Sequence, residues 1–520
     1  MKKLLLFIVT MMPSMMTWAD AVEVDGIYYN LIPKGKVAEV TSNPYMYTGS
    51  VDIPSIVTYN GEKYNVTIIG DSSFYGCSGL TSLTIPNGVK SIGWAAFQNC
   101  TGLTSLAIPD GVQSIGGGAF QNCISLTSLV IPNSVNRIES SAFRNCSGLT
   151  SISIPNFVTF IGDGAFDGCS GLTSVHISDI AAWCRISFEN ILSNPLYFAH
   201  HLYLEDKEIK DLVIPSNVTT IGKCVFAGCS GLTSVTIHNN VTNIGGEAFF
   251  YCSGLTSITI PNSVTSINYG AFQGCSGLIN VAIPNSITRI EECVFNHCLG
   301  LTSVIIPNSV THIDNGAFAE CSALTTVTIG NRVKEIWNQA FDTCKELTDV
   351  YCLAYNVPYT VTNTFDNSYI EYATLHVPEE SISAYKSISP WSSFGNIVKI
   401  NMSKYNLTYM IDGEKYKEYK IEEGEVITPE PNPSKEGYTF CGWSKIPETM
   451  PAYDITIIGK FVLTGDANGN DTVDEADIEE VVNYIMGHPS DKIDMIAADA
   501  NHDGKLNVAD IVEIINIFRK

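Results

Sequence analysis

Two stretches of 12 residues near the C-terminus, 466–477 and 499–510, carry side-chain oxygens at alternate positions. Calcium binds about six to eight oxygens, and tight loops supply them from positions 1, 3, 5, 7, 9 and 12, with a backbone carbonyl at position 7. These positions hold Asp466, Asn468, Asn470, Thr472, Asp474 and Asp477 in the first stretch and Asp499, Asn501, Asp503, Lys505, Asn507 and Asp510 in the second. The spacing predicts two calcium sites.

The second loop is predicted to bind calcium more tightly than the first. A carboxylate at a direct ligand position adds negative charge that attracts the cation. The expected direct carboxylates are Asp499, Asp503 and Asp510 in the second loop, against Asp466 and Asp477 in the first. Position 6 needs a left-handed turn, which glycine adopts without strain. This position is Gly504 in the second loop and Asp471 in the first.

Each loop runs directly into a predicted amphipathic helix. The apolar residues at helical spacing are Ile478, Val481, Val482 and Ile485 after the first loop and Ile511, Ile514, Ile515 and Phe518 after the second. Residues 466–485 and 499–518 are identical at eight of 20 positions. A loop followed by its helix, with no entering helix, resembles the dockerin type I module over residues 464–520.

The resemblance implies a small α-helical domain that docks to a cohesin-like partner in a calcium-dependent manner. Positions 10 and 11 often hold Ser–Thr in the dockerins of cellulosomes. Here they are Glu475–Ala476 and Val508–Ala509. The usual contact residues for cohesin are therefore absent.

The central part of the chain repeats every 23 residues. Each repeat has a phenylalanine three positions before a cysteine, and these cysteines are Cys77, Cys100, Cys123, Cys146, Cys169, Cys229, Cys252, Cys275, Cys298, Cys321 and Cys344. Alternation around Leu83 predicts a short strand with one buried face. Pro86 ends this strand because proline has no N–H to donate. Apolar residues later in the unit, such as Ile92 and Phe97, are predicted to point inward, so that stacked units share one core in a parallel solenoid.

The repeat resembles the bacterial leucine-rich repeats of the BspA type, and the segment from Leu255 to Cys275 follows that pattern closely. The resemblance covers residues 22–400 and implies a mainly β fold, a solenoid of 23-residue coils with a parallel sheet. It also implies a binding role, since the family includes adhesins and host-protein binders.

One interval breaks the period, because Cys169 and Cys229 are 60 residues apart, which is two periods of 23 plus 14. The resulting insertion lies near residues 179–211, and its first part predicts a short amphipathic helix. Such an insertion is either a binding loop or a packed spacer. His200 and His201 are sequence neighbours and are not predicted to bind one metal together.

The outward strand positions form two ladders, from Ser82 to Thr326 and from Thr84 to Thr328, of mostly small and neutral side chains. They offer no paired carboxylates and no nucleophile with an orienting base, and enzyme motifs are missing along the chain. The protein is therefore predicted to be no enzyme, with no catalytic residues and no organic cofactor site. The ladders are predicted to be a solvated face or a protein-binding face. A glycan-binding face is less favoured, because the ladders contain no aromatic ring.

The repeat cysteines are predicted to be buried thiols. Equivalent residues in stacked coils lie about 5 Å apart with parallel side chains, which suits neither disulfides nor a metal site. They would then act as small apolar side chains.

Residues 401–463 are predicted to form a separate β-rich module. Alternating residues flank Asp412–Gly413, which predicts a hairpin. Together with the segment Gly437–Trp443, this module resembles the internalin B-type repeat, which implies a spacer with no site of its own.

The N-terminus predicts export. Lys2 and Lys3 precede an apolar run, and small residues around Ala19 suit a signal peptidase, so residues 1–21 are expected to be a signal peptide. No later stretch is long and apolar enough to span a membrane. The expected location is extracellular or at the cell surface, with the periplasm as the alternative.

The formal charge of −24 disfavours nucleic acid as a partner. The features together predict an exported, non-catalytic binding or adhesion protein. Its solenoid would bind an extracellular or host protein, or a glycan, and its C-terminal module would dock to a partner. The alternative is an accessory component of an extracellular polysaccharide-degrading assembly, recruited by dockerin and cohesin.

Overall fold

The computed structural model describes residues 21–400, 404–422, 425–447, 450, 453–488, 490 and 493–519. They fall into two compact units that divide after Ile400. The expected signal peptide lies outside the described residues except for Ala21. In the described part of the chain, no helix has both the length and the apolar character that crossing a membrane requires.

The first unit is a solenoid of short strands with few helices. Its strands are β1 (Val22–Val24), β2 (Ile27–Ile32), β3 (Val37–Val40), β4 (Gly49–Asp52), β5 (Ile56–Tyr59), β6 (Glu62–Ile69), β7 (Leu80–Thr84), β8 (Ser91–Ile92), β9 (Ser105–Ala107), β10 (Ser114–Ile115), β11 (Ser128–Val130), β12 (Arg137–Ile138), β13 (Ser151–Ser153), β14 (Phe160–Ile161), β15 (Ser174–Ile177), β16 (Ser187–Phe188), β17 (Leu202–Leu204), β18 (Lys207–Glu208), β19 (Asp211–Val213), β20 (Thr220–Ile221), β21 (Ser234–Thr236), β22 (Asn243–Ile244), β23 (Ser257–Thr259), β24 (Ser266–Ile267), β25 (Arg289–Ile290), β26 (Ser303–Ile306), β27 (His312–Ile313), β28 (Thr326–Ile329), β29 (Glu335–Ile336), β30 (Asp349–Cys352), β31 (Tyr359–Thr360), β32 (Thr374–Val377) and β33 (Asn396–Lys399). Its helices are α1 (Ile180–Cys184), α2 (Leu196–Ala199) and α3 (Ile382–Tyr385), and its 3₁₀ turns are Ile191–Ser193, Ile370–Tyr372, Glu379–Ser381 and Trp391–Ser393.

Most regular coils carry two strands on different sides. The coil that contains Ala282 has β25 and, in place of the other strand, a single bridge from Ala282 to Ile305. β11 pairs in parallel with β9, in the register Ser105–Ser128 that the sequence predicted. β12 pairs in parallel with β10 and β14. The second strand was not predicted, since two residues are too few to show an alternating pattern.

The third side of the coil has no strand, but its backbone still bonds to the next coil. The N–H of Phe120 donates to the carbonyl of Ala142 at 2.7 Å, and that of Asn122 donates to Arg144 at 2.8 Å. Between these bonds the chain makes tight turns, and Asn122 adopts a left-handed φ of 61°. All three sides therefore hold neighbouring coils together.

The repeated phenylalanines stack inside the solenoid in two runs, from Phe74 to Phe166 before the insertion and from Phe226 to Phe341 after it. Phe120 is fully buried, and its ring centroid lies 5.1 Å from that of Phe97 and 5.4 Å from that of Phe143. Cys123 lies beside this stack, and its thiol donates to the carbonyl oxygen of Phe97 at 3.1 Å. The same bond recurs at Cys100, Cys146, Cys169, Cys252, Cys275, Cys298, Cys321 and Cys344.

The prediction of buried thiols is confirmed. All 16 cysteines are free, and all are buried except Cys293 and Cys441, which are partly exposed. Burial raises the pKa of Cys123 to about 12, although a backbone hydrogen bond opposes the shift. The repeat cysteines therefore stay protonated and unreactive at neutral pH.

The insertion is packed into the stack and is not a free loop. α1 confirms the predicted short helix, and the Asp179 side chain caps it by accepting the N–H groups of Ala181 and Ala182. β16 continues one sheet by pairing with β14, and β17 continues the other by pairing with β15. The indole of Trp183 is buried and donates to the carbonyl of Val225 at 2.9 Å.

The second unit combines a small sheet with three helices. Its elements are β34 (Lys404–Ile411), β35 (Glu414–Glu422), β36 (Tyr438–Trp443), β37 (Ile455–Leu463), α4 (Glu475–Ile485), α5 (Met495–Ala498) and α6 (Val508–Phe518). The strand order is β35, β34, β37, β36. β34 and β35 form the predicted hairpin about Asp412–Gly413, and both turn residues have positive φ.

We expect Phe120→Ala to destabilise the solenoid by about 3–5 kcal/mol, because it leaves a cavity in a fully packed stack. The matched control is Phe157→Ala, since Phe157 is 66% exposed. Its expected effect is within about 0.5 kcal/mol. Urea denaturation of the full chain, followed by circular dichroism, compares the two variants. Equal effects would contradict the role of the stack.

Candidate metal centre in the second unit

The two predicted calcium loops lie at the starts of α4 and α6. In both loops position 9 is the residue before the helix, and its side chain caps the helix. Asp474 and Asn507 play this part, and the position 12 residues Asp477 and Asp510 complete a reciprocal capping box. The loop and its helix are therefore one hydrogen-bonded element.

The same seven hydrogen bonds form in each loop, at donor–acceptor distances from 2.7 to 3.3 Å. The carboxylate at position 1 accepts hydrogen bonds from the backbone N–H groups of positions 5 and 6. The carboxylate at position 12 accepts from the backbone N–H groups of positions 3 and 9. Positions 3, 5 and 9 each accept from the N–H two residues later. In the first loop these acceptors are Asp466, Asp477, Asn468, Asn470 and Asp474. In the second they are Asp499, Asp510, Asn501, Asp503 and Asn507.

Backbone N–H groups alone contact the buried carboxylates of these loops. Asp466 is 4% exposed, and Asp477 and Asp510 are fully buried. In the part of the chain that the structure describes, no Lys, Arg or His forms an ion pair with any of the three. Burial raises the pKa of Asp477, although two backbone hydrogen bonds oppose the shift. Buried charges of one sign without a counter-charge are unfavourable, so the loops favour a bound cation.

The donor set fits a hard cation. Every predicted ligand supplies oxygen, which suits calcium better than metals that prefer nitrogen or sulfur. Among the described residues, no three His, Cys, Asp or Glu side chains converge closely enough to hold a metal by themselves. The predicted ligand set also includes amide and backbone carbonyl oxygens, which that group of side chains does not include.

The backbone of each loop is left-handed at two positions, not one. At position 4, Gly469 has φ 72° and His502 has φ 61°. At position 6, Asp471 has φ 64° and Gly504 has φ 77°. Of these two left-handed positions, each loop fills one with glycine and the other with a residue that has a β-carbon. The first loop is strained at position 6, where Asp471 stands, as predicted. The second loop is strained at position 4, where His502 stands, so the two loops do not differ in this respect.

The two helices pack against each other through a core that the pattern predicted only in part. Ala467 and Ala500, at position 2 of the loops, are buried between the helices beside Val481 and Ile514. Val473 and Leu506, at position 8, pack against the same core. The alanine that recurs at position 2 of both segments is the sequence feature from which these contacts could have been predicted.

The expectation of a loop without an entering helix holds for the first loop only. β37 ends just before the first loop, whereas the one-turn helix α5 precedes the second. The N–H of Gly465 donates to the carbonyl of Ala497 at 2.8 Å, and that of Thr464 donates to Gly437 at 3.0 Å. These bonds join the first loop to both α5 and the sheet.

Loop positions 10 and 11 are exposed in both copies. Glu475 and Ala476 lie at the start of α4, and Val508, which is 63% exposed, begins α6 with Ala509. A partner that contacts these helices would meet these four side chains.

The exposed ladders of the solenoid follow the predicted registers, but they include aromatic residues that the prediction left out. Tyr203 aligns with His176, and their rings stack at 4.9 Å. Tyr351 aligns with Thr328 and stacks on His376 at 4.2 Å. The statement that these ladders hold no aromatic ring is therefore wrong at the insertion and at the C-terminal end of the solenoid.

The two neighbouring histidines have separate hydrogen-bond partners. The Nδ1–H of His200 donates to the carbonyl of Gly228 at 2.9 Å. His201 Nδ1 lies 2.7 Å from the carboxylate of Glu208.

Family models match most of the chain. The BspA type leucine rich repeat region matches in six copies over residues 67–193, 199–325 and 265–386. The Dockerin type I domain matches residues 464–519, and the Listeria-Bacteroides repeat domain matches residues 405–468. These are binding and scaffold modules. No curated protein matches the chain.

Several solved structures are similar to this chain. A leucine-rich repeat protein from Bacteroides ovatus is 30% identical over 64% of this chain and 94% of that chain, with a TM-score of 0.40. A leucine rich cell surface protein from Faecalibacterium prausnitzii is 25% identical over 64% and 94%, with a TM-score of 0.37. The pneumococcal vaccine antigen PcpA is 17% identical over 74% and 98%, with a TM-score of 0.46.

Proposed function

Because the chain belongs to the BspA-type leucine-rich repeat family, we propose that it is an exported, non-catalytic binding or adhesion protein. The solenoid presents the ligand-binding surface, and the C-terminal module docks the protein to a partner. Its site of action is the cell surface or the extracellular space. The observation that carries the docking role is the set of seven hydrogen bonds that recurs in both loops of the second unit.

Calcium binding at both loops completes this proposal. The ligands are Asp466, Asn468, Asn470, Thr472, Asp474 and Asp477 in the first site and Asp499, Asn501, Asp503, Lys505, Asn507 and Asp510 in the second. Thr472 and Lys505 contribute backbone carbonyls. When bound, calcium supplies positive charge that neutralises the buried carboxylates. The residues of the chain hold the loops and both helices in the arrangement that a partner recognises.

The second site is the tighter one in this proposal, on the count of direct carboxylates alone. The strain argument no longer separates the loops, since each has one non-glycine residue in a left-handed turn. Net loop charge favours the first loop, which has five acidic residues and no basic one, a charge of −5. The second has three acidic residues and Lys505, a charge of −2. Asp499, Asp503 and Asp510 do not converge in the described structure, so in this proposal calcium binding draws the third carboxylate into contact. Once there, it outweighs the more distant charges, because Coulomb attraction falls with distance.

Calorimetric titration of the full chain with calcium is expected to show two sites. Asp499→Ala should weaken calcium binding at the tighter site, because it deletes a direct carboxylate of the second loop. Asp466→Ala should weaken binding at the other site. Each deletion weakens its own loop by about tenfold or more. The reverse order would contradict the ranking of the sites, and no calcium binding would contradict the docking mechanism.

A second function, recruitment to a polysaccharide-degrading assembly, is supported by the dockerin match over the C-terminal residues. The partner would then be a cohesin-like module, recognised through the exposed positions 10 and 11. These positions differ from the usual Ser–Thr pair, so the partner surface would differ correspondingly.

Capture experiments with the full chain separate the two functions. The bait is either the wild type or the double variant Asp466→Ala/Asp499→Ala. Each bait is incubated with secreted and outer-surface proteins, once with calcium and once with a chelator. Calcium-dependent capture of a cohesin-bearing scaffold, lost in the double variant, supports recruitment. Capture of an extracellular protein that survives chelation supports adhesion through the solenoid. If neither bait captures a specific protein, both functions are contradicted.

A further inference from the structure

An open cleft of 580 Å³ lies on the solenoid where the insertion meets the following coils. Tyr197 and Phe198 of α2 form one part of its lining, and Tyr251 comes from a later coil. Its volume falls within the range of about 300 to 1,000 Å³ that is common for small-molecule sites. Three of its eight lining residues, Tyr197, Phe198 and His200, belong to the insertion.

Buried contacts fix the insertion beneath this cleft. Asn194 is fully buried, and its side-chain N–H groups donate to the carbonyls of Cys224 and Val225 at 2.7 and 3.0 Å. Its side-chain oxygen accepts the N–H of Leu196 at 2.9 Å, at the start of α2. The helix that carries the aromatic residues is thus held in place before any ligand binds, which reduces the ordering cost of binding.

The aromatic side chains form one connected group across distant parts of the sequence. The ring centroids of Tyr197 and Phe250 lie 6.4 Å apart, and those of Phe250 and Tyr251 lie 4.6 Å apart. Tyr251 then faces His297 at 6.2 Å with nearly parallel rings. Tyr251 itself remains 44% exposed, so part of its ring is available to a ligand.

Tyr251 occupies a backbone position that suits other residue types better. The residue before each repeat cysteine is left-handed in every coil, with φ between 53° and 80°. It is Gly or Asn in most coils, namely Gly76, Asn99, Asn122, Asn145, Gly168, Gly228 and Gly274. The remaining coils hold Tyr251, His297, Glu320 and Thr343. A side chain other than that of Asn or Asp costs about 1–2 kcal/mol in this conformation. A tyrosine there costs stability, and strained residues of this kind often serve a binding site.

The neighbouring coils leave room for these aromatic groups. A β-carbon on Gly274 would lie only 2.6 Å from the Tyr251 ring, so the ring rests against the bare glycine backbone. A β-carbon on Gly228 would lie 2.5 Å from the Tyr197 α-carbon, so α2 lies directly on that glycine. Both contacts require the glycine that the sequence has.

The polar lining suits a neutral ligand that is rich in hydroxyl groups. Ser170, Ser230 and Ser253 line the cleft, and the eight lining residues include no Asp, Glu, Lys or Arg. These hydroxyls have no hydrogen-bond partner among the described residues, and each can both donate and accept. His200 donates through Nδ1 to Gly228, which leaves Nε2 as an acceptor at the same cleft.

We propose that this cleft binds a neutral oligosaccharide, with the Tyr251 ring packing against the apolar face of a sugar ring and the serines bonding its hydroxyls. An aromatic face with adjacent hydroxyls matches the two kinds of surface that a pyranose presents. The open shape admits a chain that continues beyond the cleft. The proposal assigns a ligand class to the solenoid and rests on the proposed binding function, but it does not involve the calcium loops.

Calorimetry of the full chain with cellohexaose, maltohexaose, mannohexaose and xylohexaose tests the proposal. At least one should bind the wild type, and Tyr251→Gly should weaken that binding by about tenfold or more. Since the position is left-handed, this variant should fold with unchanged or higher thermal stability. The control is Tyr269→Ala, which removes an equally exposed tyrosine outside the cleft and should leave the affinity unchanged.

Three results would overturn the proposal. One is that none of the four hexasaccharides binds, and another is that Tyr251→Gly binds as well as the wild type. The third is that Tyr251→Gly loses the capture of a protein while oligosaccharides do not compete for it, which would make the cleft a protein site. That third result would leave the general binding function standing, whereas a chain that captures nothing and binds no sugar would contradict both.

Discussion

The stacking of one coil on the next is the constraint on which the first unit depends. A 23-residue coil cannot enclose a core alone. Within a run of regular coils, a phenylalanine such as Phe120 is therefore covered by those of its neighbours at just over 5 Å. The cysteine thiol occupies the small remaining space and donates to the phenylalanine carbonyl of the preceding coil. Burial keeps this thiol protonated, which makes it a structural group and not a reactive one.

A stack of this regularity limits where a binding site can form. The inward side chains are buried in the core, and most outward strand positions hold small side chains. Distinct surfaces arise where the period is broken, which here means the insertion and the coils that follow it. The same logic holds in the second unit, where a duplicated loop and helix pack around Ala467 and Ala500 and leave the helix starts exposed.

The periodic features were predictable from the sequence, as were elements with a local signal such as the hairpin about Asp412–Gly413, whereas features without such a signal were not. The 23-residue spacing predicted the solenoid and the strand register, and alternating oxygens located both loops. The strand Arg137–Ile138 has only two residues, which is too short to show the alternation of buried and exposed side chains that predicts a strand. The left-handed turn at His502 has no glycine to mark it. The cleft joins Tyr197 to Tyr251 across 54 residues, so it depends on how the insertion packs.

Thiol labelling of the native full chain tests the stacked core most directly. A maleimide at neutral pH should modify Cys293 and Cys441 rapidly, since these are the two cysteines that are partly exposed. The other 14 should react only after denaturant unfolds the chain, and mass spectrometry of the peptides identifies each site. Rapid labelling of repeat cysteines such as Cys123, or disulfides between them, would contradict a core in which the thiols are buried between stacked phenylalanines.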